Sequence, residues 1–273
     1  QLQKRFFDYY LMGKKNGWKK EPRVWINLRR PFSQEVSLKK ENTWPLKKTK
    51  WTKLFLNVSG KGKLEWTAPK SNRSKTFRAK TRGITILSPP LKEETEITGP
   101  LVAKLFISST TKDADLFVTM QAFSPKGKEV FFQGTVDPKT PLAQGCLRAS
   151  HRKLDHKKST PWRPYHTHDD KQPLSPEKLY ELDIEIWPQS IELPKGFRIA
   201  LNISGQDFDR PGPAVEAYVP SRGSGPFLHD HPIDRSNEVF GGRTTLHTGP
   251  KQTAYLLLPI IPKKKSKVSK KKR

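Results

Sequence analysis

Hydrophobic positions recur along this chain with two different periods. Leu2, Phe6, Tyr9 and Tyr10 fall at i, i+4, i+7 and i+8, one face of a 3.6-residue repeat, and predict a helix over residues 1–12. Gly13 stands where a helix stops, and Lys14 and Lys15 stand where its C-terminal dipole favours positive charge. So short a helix is marginal alone in water, so its apolar face calls for a surface to lie on. Beyond it the period is two. Tyr180, Leu182, Ile184 and Ile186 alternate with Glu181, Asp183 and Glu185. Phe197, Ile199, Leu201 and Ile203 repeat the pattern, as do Leu116, Val118, Met120 and Ala122, and Leu101, Ala103, Leu105 and Ile107. Further strands are expected over Val24–Arg29, Lys53–Val58, Gly83–Leu87, Glu129–Val136, Cys146–His151 and Thr253–Leu258.

Turn clusters separate these runs, among them SPKGK, DPKTP, LPKG, DRPGP and SRGSGP, which hold much of the proline and glycine. About ten short strands with one-sided alternation predict an all-β fold, an antiparallel two-sheet jelly-roll sandwich of the galactose-binding-like kind, preceded by the short helix. Residues 60–82 read as a basic loop with at most one strand, and 155–177 as a second long loop rich in His, Pro, Lys and Asp. No internal repeat is visible. The organisation expected is a helix and linker over 1–20, a β domain over 21–262 and a basic, core-free tail over 263–273.

Composition changes this picture in one respect. Only 33% of the 273 residues are hydrophobic, so the patterned runs imply a folded core under a very polar shell. The net charge of +26 is unevenly placed. Residues 1–83 hold 23 Lys/Arg against 5 Asp/Glu, the tail holds 8 basic residues and no acid, and 84–262 carry 21 of each. A neutral body with basic flanks predicts weak binding to polyanions through the flanks rather than a dedicated nucleic-acid fold. The aromatics of 1–83, interleaved with apolar residues as in WTKLFL, read as core. Cys146 is the only cysteine, which excludes an intrachain disulfide and accords with a cytoplasmic setting. The longest apolar run, Ala254–Pro262, is too short to span a bilayer.

Several polar groups are candidates for chemistry. His166 and His168, followed by Asp169 and Asp170, would share a face on an extended segment, a spacing found in metal sites. His229, Asp230, His231 and Asp234 form a second group. In Pro-rich loops such residues more commonly hydrogen-bond the loop backbone, and no metal or other cofactor is expected. No G-x-S-x-G nucleophile elbow occurs. Cys146 opens an alternating strand and reads as a small buried hydrophobe. Asp113 and Asp115 read as framework carboxylates, accepting backbone N–H bonds or pairing with Arg148 or Arg152.

The stretches FFDYYLMGKKNGW, TEITGPLVAKLFISSTTKDADLFVTM, GCLRASHRKLD, LYELDIEIWPQSIELPKGFRIALNISG and HTGPKQTAYLLLPIIP resemble, in order, the C-terminal region of the cocaine-esterase / X-prolyl dipeptidyl-peptidase-like serine hydrolases. The resemblance runs from about Phe6 to Pro262 and leaves out the basic tail. It implies a non-catalytic jelly roll that packs on an α/β-hydrolase domain, walls its substrate cleft and contributes to homo-oligomer contacts. The hydrolase domain of such proteins cleaves esters or amides, including acyl and X-Pro substrates. It ends in a helix like 1–12, and its Ser, Asp and His all lie upstream. No triad residue therefore carries over to this chain. The partner of Leu2, Phe6, Tyr9 and Tyr10 is then the hydrolase domain, and Asp113, Asp115 and Arg148 belong to the jelly-roll framework. Phe197 departs from the pattern, standing where many relatives have His, and reads as a core substitution. An alternative is a free-standing β-sandwich module that binds carbohydrate or a polyanion.

Overall fold

A computed structural model describes residues 1–134, 137, 139–208 and 228–263. Helix α1 (Leu2–Tyr10) and a 3-10 turn at Trp18–Lys20 precede the strands. These are β1 (Val24–Arg29), β2 (Val36–Glu41), β3 (Lys50–Asn57), β4 (Lys63–Glu65), β5 (Arg73–Arg78), β6 (Ile84–Leu87) and β7 (Thr95–Ser109). There follow β8 (Asp115–Phe123), β9 (Ala143–Arg148), β10 (Tyr180–Leu193), β11 (Arg198–Ser204), the single-turn helix α2 (Asn237–Phe240), β12 (Arg243–Thr248) and β13 (Tyr255–Ile261).

The fold is all-β. Hydrogen bonding runs without a break through the order β2-β1-β10-β7-β13-β3-β4-β6-β11-β8-β9, with β12 laid between β7 and β5. The ladder is mostly antiparallel. Single parallel pairs, Arg29 with Ile191 and Lys63 with Leu87, join β1 to β10 and β4 to β6. The second of these is the only step between the β2-to-β4 block and the β6-β11-β8-β9 block along that path. The strands thus form one curled mixed sheet. Leu105, Ile107, Leu182 and Ile184 of the first block share one core with Leu116, Met120, Ile199 and Leu201 of the second. The alternation explains this: each strand gives one face of branched side chains, and the curl brings those faces together.

Where the blocks meet, backbone touches backbone. A Cβ on Gly145 of β9 would lie 2.0 Å from the carbonyl oxygen of Glu185 on β10, so only glycine fits there. β10 pairs with β7 from Tyr180 to Leu193, but its register shifts between Ile186 and Gln189. Pro188 has no N–H to give to the ladder, and the bulge turns Trp187 outward, 76% exposed. Past the bulge Gln189 is buried; its side chain donates to the carbonyl of Leu142 (2.5 Å) and accepts from Arg29.

Several expectations need correction. Glu129–Val136 is not a strand: it makes only bridges, Phe123 with Glu129 and Phe132 with Thr140, and residues 135 and 136 lie outside the described ones. Residues 60–82 carry two strands, β4 and β5. β2 and β12 are not marked by periodicity in the sequence, because VSLKKE and RTTLHT lack clean alternation. Trp51 and Phe55 are not core: Leu54 and Leu56 are buried, while Trp51 stacks on Trp162 with ring centres 5.1 Å apart. Phe197 is buried. The segment 155–177 is free of strands, and the tail 264–273 lies outside the described residues.

Candidate functional site

A cleft of about 660 Å³ opens beside the junction of the two blocks. β9 forms one wall, the bulged part of β10 another, and Phe208, His166 and His229 close its rim. The β10 bulge places Trp187 at the mouth, and Gly145 lets the two strands approach closely enough to make the floor.

Cys146 is on this wall and is exposed, contrary to the expectation of a buried hydrophobe. The reason is parity: Ala143 and Leu147 of β9 point into the core, and Cys146 takes the opposite face. It nonetheless has protein around it on the concave side. That desolvation, followed by the charges of Asp207 and Asp115, pushes its thiol up from the ordinary value. His229 donates its backbone N–H to Asp207 (2.7 Å), and its Nδ1 lies 2.9 Å from the same carboxylate. A His–Asp pair next to a thiol has the composition of a nucleophilic site, but the carboxylates disfavour the thiolate that chemistry requires.

Behind the cleft lies a polar knot. Asp113 is buried just before β8, where its Oδ1 accepts the N–H groups of Ala114 and Ser150, both at 2.9 Å, and so ties the β7–β8 connection to the turn after β9. Asp115 opens β8 directly across from Arg148 of β9. Arg148 donates Nε and Nη2 to its two carboxylate oxygens at 2.8 and 3.1 Å, the fork geometry suited to a carboxylate. Arg148 also donates to both oxygens of Asp234 at 3.0 Å, and these two carboxylates push its guanidinium above the ordinary value.

Arg235 completes the knot and was not picked out in the sequence. It is 3% exposed, donates Nε to Asp115 at 2.7 Å, and gives its remaining donors to the carbonyls of His229 and Gly205. The only signal in the sequence is a basic residue directly after Asp234 in an otherwise acidic and His-rich stretch. Arg152 does not join the carboxylates. It donates to the carbonyls of Ala149 (3.1 Å) and Gln172 (2.5 Å) and lies over the ring of Tyr180.

The histidine groups separate. His229 pairs with Asp207 as above. His166 and His168 meet His151 instead, with Nδ1 of His151 and His168 3.2 Å apart. Asp169 accepts from Thr167 and from Lys153, and Asp170 from Gln172. His231 donates no ring hydrogen bond among the described residues, although its carbonyl accepts from Arg235 N (2.9 Å). Among the described residues no three His, Cys, Asp or Glu side chains converge on a metal position.

Far from the cleft in sequence, α1 buries none of its residues. Leu2 is 40%, Phe6 38% and Tyr10 60% exposed, while Tyr9 is half-buried. Phe7, Leu11 and Met12 add to the exposed apolar surface. The helix is held to the following turn by Arg5 with Glu21 (2.8 Å), by Asn16 to the Arg5 carbonyl (2.7 Å), and by Phe6 against Trp18.

Residues 16–257 match the family model for the X-Pro dipeptidyl-peptidase C-terminal non-catalytic domain. Over 129 residues the chain is 31% identical to "Putative serine esterase Mb1866c" of Mycobacterium bovis and to "Putative serine esterase MT1883" of Mycobacterium tuberculosis, covering 45% of this chain and 19% of each of those. A crystal structure of SACOL2612, a CocE/NonD family hydrolase from Staphylococcus aureus, superposes with a TM-score of 0.81 at 25% identity. That match covers 95% of this chain and 45% of the relative, so the chain spans less than half of the solved protein's length. An aminopeptidase from a marine sediment archaeon shares the fold at a TM-score of 0.64 and 16% identity, over 94% of this chain and 43% of that one.

Proposed function

This chain belongs to the family of X-Pro dipeptidyl-peptidase C-terminal non-catalytic domains, and from that membership we propose that it works as the C-terminal β part of a serine hydrolase that cleaves esters or amides. In this reading residues 21–262 pack on a catalytic α/β domain and wall its substrate cleft, and residues 1–20 are the segment through which the two domains join. The observation that carries it is α1: a helix of 9 residues with no buried side chain and an apolar face in water is marginal by itself and needs a covering surface. Asp113, Asp115, Arg148 and Arg152 serve as framework in this assignment, and catalysis resides in the partner domain. A single cysteine accords with a cytoplasmic setting, and no helix of the described residues is long and apolar enough to cross a membrane. Homo-oligomer contacts and weak polyanion binding by the basic tail complete the proposal.

The test is amide exchange over residues 1–12, with the chain alone and with a matching catalytic domain. Fast exchange alone and protection on mixing are expected. A serine-directed phosphonate should label the catalytic domain and leave this chain unmodified. Slow exchange over 1–12 in the monomeric chain alone, or stoichiometric labelling of one of its serines, would overturn the reading. The second reading, a free-standing binding module, is favoured by one feature, the exposed Trp187 at the mouth of the cleft. Retention on polysaccharide that is lost in Trp187→Ala would select it.

A further inference from the structure

Val118 and Met120 of β8 and Leu201 and Ile203 of β11 point into the core, so Thr119 and Asn202 between them point the other way. Register places Thr85 of β6 opposite Asn202, Asn202 opposite Thr119, and Thr119 opposite Gln144 of β9. The four side chains therefore share one face and cross four strands in a line, a row about 14 Å long at the usual strand spacing. Thr119 and Gln144 line the cleft. Thr85 and Asn202 line a second hollow of about 300 Å³, and Asp207 and Phe208 wall both. The row is thus the floor of one groove, with Trp187 at its cleft end.

Buried polar groups ordinarily spend their hydrogen-bonding capacity inside the protein. This row holds capacity in reserve. Thr119 is 1% exposed, and its hydroxyl makes no hydrogen bond among the described residues. The Gln144 side chain makes none either. Asn202 is 6% exposed; its Nδ2 donates to the carbonyls of Arg82 (3.1 Å) and Ile84 (3.3 Å) and to Thr85 Oγ1 (3.0 Å), and its Oδ1 receives no donor among the described residues. Gln121, on the same face of β8, donates to Glu129 at 2.9 Å and keeps its Oε1. The charges, by contrast, are committed. Asp207 holds His229 (2.9 Å), Glu129 accepts from Gln121, Arg163 faces Glu185 at 3.8 Å, and Arg82 is engaged as well.

A groove of this kind selects its ligand by chemistry. Hydroxyl and amide groups both give and accept hydrogen bonds, as the hydroxyls of a sugar do. Trp187, 76% exposed, offers an open aromatic face to the C–H side of a sugar ring, and Phe117 and Phe208 add apolar wall. Among the described residues no Lys or Arg other than Arg82 lines either hollow, so an anion finds no spare cation. A hydrocarbon would leave the row unpaired. Resting on the reading of this chain as a binding module, we propose that the groove binds a neutral oligosaccharide, with Thr119, Gln144 and Asn202 Oδ1 bonding its hydroxyls and Trp187 stacking on one ring.

The experiment titrates the full chain with neutral hexasaccharides of glucose, mannose, galactose and xylose, following affinity by calorimetry and the Gln144 side-chain N–H signals by NMR. At least one should bind and shift those signals. Thr119→Val keeps the shape and Gln144→Met the length, and neither removes a bond that the fold uses, so the Tm should stay at the wild-type value. Together they should weaken binding about tenfold, the effect of losing two neutral hydrogen bonds. Dextran sulfate, attracted by the basic flanks, should bind wild type and double variant alike. Sugar affinity lost in Trp187→Ala but unchanged in the double variant would overturn the row while leaving the module reading intact. Failure of every hexasaccharide to bind, together with no retention on polysaccharide, would overturn both. A neutral proline-rich peptide that shifts Gln144 where no sugar does would give the groove to a peptide and overturn the assignment.

Discussion

Replacing Asp115 by Ala should destabilise this protein far more than replacing Asp234, although both carboxylates bind the same arginine. Asp115 and Arg235 have side chains only 8% and 3% exposed, and their Nε–Oδ2 distance is 2.7 Å. Removing one member of a buried ion pair leaves the other charge without compensation, which costs about 3–5 kcal/mol. Here the lower end applies. Arg235 keeps the carbonyls of His229 and Gly205, and Arg148 keeps Asp234. The expected loss is therefore about 3 kcal/mol, or a fall in Tm of about 6–12 °C for a domain of this size. Asp234 has a side chain 61% exposed, and a pair of that kind contributes at most about 1 kcal/mol. Asp115→Asn, which keeps the shape and one acceptor but removes the charge, should fall between. Urea unfolding of the three variants followed by tryptophan fluorescence gives the comparison directly. If Asp115→Ala proves no costlier than Asp234→Ala, Arg235 is not held by a desolvated pair and the account of the knot is wrong.

Two further outcomes follow from the geometry. Gly145→Ala should lower stability by about 1–3 kcal/mol, because its Cβ would meet the Glu185 carbonyl at 2.0 Å and the two strands would have to part; a calorimetric Tm within 1 °C of wild type would contradict that close approach. Burial holds the imidazoles of His166 and His247 below their ordinary value of 6.5. The unfolded chain therefore binds more protons as the pH falls through that value, and stability present above it is lost below it. The urea midpoint should drop from pH 7.5 to pH 5.5, and less so in His166→Gln/His247→Gln; an equal drop in the variant would assign the acid sensitivity elsewhere.

The alternation of large apolar and polar residues was enough to identify β1, β7, β8, β10 and β11, because strands that face a core on one side must repeat every second residue. It failed where that condition lapses. β2 is the end strand of the ladder, and its Val36 and Leu38 are exposed, so nothing in VSLKKE marks an inner face. β12 lies between two strands and buries Thr244 and Thr248 beside Leu246, which a hydrophobic count cannot see. The pairing of Asp115 with Arg148 was legible as two opposite charges on strands expected nearby. Arg235 was not: it reaches Asp115 across 120 residues of sequence, from a segment with no periodic pattern.

The sequence by itself therefore determined the fold class, the apolar faces, the uneven charge and the absence of a nucleophile elbow, since each is a property of local spacing or composition. It also determined that α1 has a face with nothing in its own few turns to cover it. Tertiary structure alone decided that the strands join into one curled sheet, that Cys146 faces the cleft rather than the core, that Arg235 closes the polar knot, and that His151 rather than Asp169 is the neighbour of His168. Those facts depend on which distant backbones lie side by side. The one-residue change of register at the Trp187–Pro188 bulge moves the inward set from Leu182, Ile184 and Ile186 to Gln189, Ile191 and Leu193, but which distant strand each of them faces is set only by the fold.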